Sequence, residues 1–140
     1  MEFARRWDAI TAQLRSLSFA ELSVKYGALL EDFRRISSSR DFVEFERRVA
    51  EGIFAAAIDK GEDEQTIHEQ FRVLCALGFS DTEGKIAYFC LYARHLMTCG
   101  AYRRAWSILE SIEADVETMH HDPEGVDNYR NLREEVSTHL

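Results

Sequence analysis

Three groupings in this 140-residue sequence are of side-chain types that ligate metals or move protons. The first is His120-His121-Asp122. Consecutive residues on a helix point about 100° apart, so neighbouring histidines seldom reach one ion. The run reads as a polar helix end, where the C-terminal dipole favours histidine. The second is His95 and Cys99, four apart on one helix face, with Cys90 nearby. A structural zinc needs four ligands, and two more would have to come from elsewhere. No Cys-x-x-Cys spacing supplies them, so these residues read as a buried cysteine and a satisfied histidine.

The third grouping is acidic: Glu44/Glu46, Glu62/Asp63/Glu64 and Glu134/Glu135. Acid–base catalysis needs carboxylates converging in a cleft with displaced pKa values. These lie at helix starts or on charged faces and read as solvated. No nucleophile elbow, phosphate loop, dinucleotide glycine pattern or His-Glu-x-x-His occurs. The expectation is a protein that is not an enzyme, with no catalytic residue, no metal and no cofactor.

The elements available to position any site are helices. One proline and seven glycines leave few of the turns that a sandwich or barrel needs. Hydrophobic residues make up 46% and charged residues 30%, the balance of a globular chain. Seventeen basic and 25 acidic residues give a net charge of −8, which opposes nucleic acid and anionic membrane as partners. No apolar run reaches the ~18 residues of a membrane span, and the first residues lack a signal-peptide core. Three cysteines without framework spacing read as reduced thiols of a cytoplasmic protein.

Apolar spacing and turn residues draw about seven helices over a single domain, 1–140. The first covers Glu2 to Leu17. Ser18-Phe19-Ala20-Glu21 is a capping box that opens the second, which fades into Ser37-Ser38-Ser39. Asp41 is read as the cap of the third, which stops at Lys60-Gly61. Asp63 caps the fourth, which ends at Leu77-Gly78. Asp81 or Thr82 opens a fifth, ending at Cys99-Gly100. The sixth covers Ala101 to Met119. Asp122-Pro123 starts the last. Short connections make neighbours antiparallel, so the expected fold is all-α, stacked helical hairpins with a C-terminal capping helix.

Gly61 and Gly100, 39 residues apart, mark the two clearest hairpin turns. Around the second, Ala93, Gly100, Tyr102, Ala105 and Leu109, with Phe89 where a tryptophan is usual, resemble a tetratricopeptide repeat. The stretch runs from Ile86 to Ile112, about a fifth of the chain. Its terminal proline is missing near Val116-Glu117, and the earlier hairpin, Ile53 to Leu74, keeps Gly61 but has Asp63 in place of the tyrosine. The spacing also exceeds the repeat's roughly 34 residues. Gln70 to Leu77, with Asp81 and the Gly100-Ala101-Tyr102 turn, is similar to the tetratricopeptide chaperones of type III secretion translocators.

The resemblance implies a cytoplasmic module that binds another protein, a small chaperone or adaptor holding a secreted partner in a helical groove. It assigns Ala87, Cys90, Arg94 and Met97 to the groove, with Arg94 as anchor; the opposing reading makes Cys90 and Met97 core and pairs Arg94 with Glu83 or Glu110. An immunity-type antitoxin covering a toxin's active site is the alternative function, and an unrecognised enzyme the third. Homo-oligomerisation is left open.

Overall fold

The computed structural model describes residues 2–119 and 121–140. Among these the secondary structure is all-α, eight helices and no strand. They gather into two compact units, up to Gly78 and from Phe79 onward, where the sequence drew one domain.

The first unit holds α1 (Glu2–Ala12), α2 (Phe19–Ile36), α3 (Ser39–Asp59) and α4 (Glu64–Leu77), each packed on the next. One core cluster is Ile10, Leu22, Tyr26, Leu29, Val49 and Ala56, with Phe3, Trp7 and Phe45 packed against it; Phe54, Ala57, Ile67 and Leu74 are also fully buried in this unit. The expected first helix ran to Leu17, but α1 stops at Ala12. Tighter bonds take over there, Gln13 N to Ile10 O and Leu14 N to Thr11 O. Lys60 Nζ then donates to the Leu14 carbonyl at 2.6 Å and holds the turn down.

The capping box at Ser18 and Glu21 forms with both reciprocal bonds. The cap of α3 is Ser38, whose hydroxyl accepts from the Asp41 amide at 3.2 Å; Asp41 lies in the first turn instead of before it. Asp63 caps α4 by accepting from the Thr66 amide at 2.7 Å. That bond to the charged form lowers the Asp63 pKa below its ordinary value.

The second unit holds α5 (Thr82–Thr98), α6 (Tyr102–Glu110), α7 (Glu113–Glu117) and α8 (Pro123–Ser137). α5 packs against α6, α7 and α8, and α6 against α8. Ala93 and Ala105 are both fully buried, so two small residues let α5 and α6 approach closely. Asp81 caps α5 through the Gly84 amide, and Asp122 caps α8 through the Gly125 amide with Pro123 in the first turn.

The expected sixth helix, Ala101 to Met119, is two helices. Ser111 Oγ donates to the Ile108 carbonyl at 2.6 Å, and Ile112 N bonds Leu109 O, three residues back. Such local bonds compete with a regular helix. The Leu109 carbonyl, which an unbroken helix would offer to the Glu113 amide, also accepts the Tyr129 hydroxyl at 2.8 Å.

Gly61 and Gly100 close the same kind of turn, at φ +68° and +78°. Glu62 N bonds Ala57 O and Gly61 N bonds Ile58 O; likewise Ala101 N bonds Leu96 O and Gly100 N bonds Met97 O. Both are Schellman motifs, with glycine in the left-handed conformation.

Candidate functional site

The four residues assigned to a groove all fall on α5. Ala87 and Arg94 are exposed and Met97 is half-buried. Cys90 requires a correction: it is 2% exposed and belongs to the core. α8 packs on α5, and its Asn128 lies beside Arg94, whose guanidinium reaches Asn128 Oδ1 at 3.5 Å. Arg94 thus reaches α8 through Asn128, where the sequence paired it with Glu83 or Glu110. Burial pushes the Cys90 thiol up to about 11, against the opposing pull of Arg94. A face that reads as open groove in α5 alone is partly covered once the C-terminal helix is in place.

The second unit has a different concavity, a cleft of about 380 Å³ between α6, α7 and α8. Trp106 comes from α6, Glu113, Val116 and Glu117 from α7, and Tyr129, Arg130, Arg133 and Glu134 from α8. The break between α6 and α7 brings Glu113 to this position. Val116 and Tyr129 are buried at its base, Trp106 is half-buried, and Glu117, Arg130 and Glu134 are exposed.

Arg133 organises the cleft. Its guanidinium lies 4.9 Å from the Trp106 ring centroid, donates to Glu113 Oε1 at 2.8 Å and to the Tyr129 hydroxyl at 3.4 Å. The Glu113 bond raises the Arg133 pKa further, so the stacked cation stays charged. Burial raises the Tyr129 pKa, which keeps its hydroxyl protonated as the donor to Leu109. Around this centre the second unit carries eleven Asp and Glu against six Lys and Arg, a net charge of −5.

The arrangement offers an aromatic surface, a held arginine and exposed carboxylates. Ser137 completes the lining, and its hydroxyl donates to the Glu134 carbonyl at 2.6 Å. The cleft is not visible in the sequence because its residues come from three helices. The signal that points to it is Trp106 beside Arg103-Arg104, where core spacing alone would bury the ring.

His120 lies outside the described residues, and His121 Nε2 meets Glu83 Oε1 at 2.6 Å. His95 Nε2 and Cys99 Sγ come within 3.6 Å. No group of three metal-ligating side chains converges among the described residues, and no helix among them is long and apolar enough to cross a membrane.

No protein-family model matches this chain, and no match was found among the curated proteins or the solved structures.

Proposed function

We propose that this chain binds another protein without catalysis, as a small cytoplasmic adaptor or chaperone, and that the Trp106 cleft receives the partner. The observation that carries this reading is the half-buried Trp106 ring under Arg133, bordered by exposed Glu117 and Glu134. Tryptophan and arginine dominate protein interfaces because they combine large apolar area with directed polar groups. Exposed carboxylates on a unit of net charge −5 suit a basic partner surface.

The finer fold reading, stacked hairpins of tetratricopeptide type, draws support from the two matching glycine turns 39 residues apart. The cytoplasmic reading rests on Cys75, Cys90 and Cys99, an odd number of thiols without the spacing of a disulfide framework.

Acidity also favours a second reading, an immunity-type protein that covers a basic toxin. A photo-crosslinking residue at position 117, in the cells that make the protein, separates these. A recurring crosslinked protein lost on Trp106→Ala supports the cleft, and its identity as a toxin or a secreted client selects the role. Crosslinks unaffected by Trp106→Ala would remove the cleft from the account.

A further inference from the structure

His95 and Cys99 lie one turn apart at the C-terminal end of α5, with the Cys99 side chain exposed. His95 Nε2 and Cys99 Sγ are 3.6 Å apart. A zinc ion holds thiolate sulfur at about 2.3 Å and imidazole nitrogen at about 2.0 Å, and two such ligands at the tetrahedral angle are about 3.5 Å apart. The pair already has the bite of two zinc ligands.

The surroundings favour a cation. Cys99 is the C-cap of α5, where the helix dipole is negative. The unit carries a net charge of −5. Within one chain the site stops at two ligands, because no third His, Cys, Asp or Glu joins it among the described residues. Cys90, the nearest thiol in sequence on the same helix, is buried in the core.

We propose that His95 and Cys99 form half of a zinc site completed by the same pair from a second copy of this chain. A two-fold axis through the metal supplies two nitrogens and two sulfurs, the donor set of a closed tetrahedral zinc centre. Each Cys99 thiol gives up its proton on binding, so two thiolates neutralise the divalent ion and one zinc releases two protons per pair of chains. The metal joins copies and adds nothing to the fold of either. The site is separate from the Trp106 cleft and does not depend on its role.

The test titrates the full-length, reduced chain with Co²⁺ and then Zn²⁺, following absorption and molar mass. Expected are a sulfur-to-cobalt charge-transfer band with tetrahedral visible absorption, saturation at half an equivalent per chain, loss of colour on adding Zn²⁺, and doubling of the mass. Cys99→Ser and His95→Ala should abolish all four while helicity by circular dichroism is retained. Cys75→Ser should leave them intact. Because Cys99 is exposed, Cys99→Ser tests the site even where His95→Ala lowers stability. The proposal is overturned by the absence of a thiolate band, by one metal per chain without dimerisation, by a metal-independent dimer under reducing conditions, or by loss of the band in Cys75→Ser alone.

Discussion

The Tyr129 hydroxyl donates to the Leu109 carbonyl at 2.8 Å, and it does so where α6 ends. That one bond joins the break between α6 and α7 to the position of α8. Glu113, just past the break, meets Arg133, and Arg133 in turn lies over Trp106. The cleft therefore depends on a buried hydroxyl at its base.

Tyr129→Phe should lower stability by about 1 kcal/mol, the net worth of a buried hydrogen bond. It should also slow hydrogen exchange at the Glu113 amide, because the Leu109 carbonyl becomes available to it. An unchanged melting temperature with unchanged exchange would mean that the break has another cause.

Gly100→Val should destabilise by about 1 kcal/mol or more, from forcing a β-branched residue to positive φ. A Cβ there meets nothing within 4 Å, so the cost is backbone strain and not a clash. Gly61→Val is the matched case, at φ +68° with the same open space. A thermal melt showing no loss for either variant would contradict the Schellman geometry.

Much of the helical order is legible in the sequence because it is encoded locally. Ser18 and Glu21, Asp63, Asp81 and Asp122 cap the helices they precede, and Gly61, Gly78 and Gly100 stop them. Asp41 misleads because Ser38, three residues earlier, offers the same chemistry and lets α3 start sooner. The α6–α7 break is harder to read, because the Tyr129 hydroxyl that bonds the Leu109 carbonyl there comes from 20 residues away. Cys90, assigned to the groove, is buried, because α5 is packed on by α6, α7 and α8 and spacing along α5 does not show which stripe they cover. Helical periodicity says that a stripe is apolar, not what covers it.

The three thiols should differ in reactivity. Cys75 and Cys99 are exposed, whereas Cys90 is buried with its thiol pushed up to about 11. A disulfide reagent at neutral pH should modify two cysteines promptly and the third only after denaturant is added. Three equally fast reactions would contradict the burial of Cys90.

Stability should fall on the acid side through Asp63. Its folded pKa is lowered, so its contribution is complete above the ordinary carboxylate range and is lost as pH falls through the lowered folded value. Asp63→Asn keeps an acceptor for the Thr66 amide but does not titrate there. Its melting temperature should therefore decline less between neutral pH and the acid limit than that of the wild type. Parallel declines in both proteins would assign the acid sensitivity to other carboxylates.

Recognition through the Trp106 cleft can be measured by calorimetry, as partner affinity for the wild type and for Glu117→Arg, with Arg94→Glu alongside. Glu117 is exposed in the cleft, and Arg94 lies on the α5 stripe beside Asn128. Neither variant should move the melting temperature appreciably. Glu117→Arg should raise Kd at least about tenfold, a loss of about 1.4 kcal/mol, while Arg94→Glu should have a smaller effect. Unchanged affinity for Glu117→Arg, with a loss of about 2 kcal/mol for Arg94→Glu, would contradict the cleft and return the binding surface to α5.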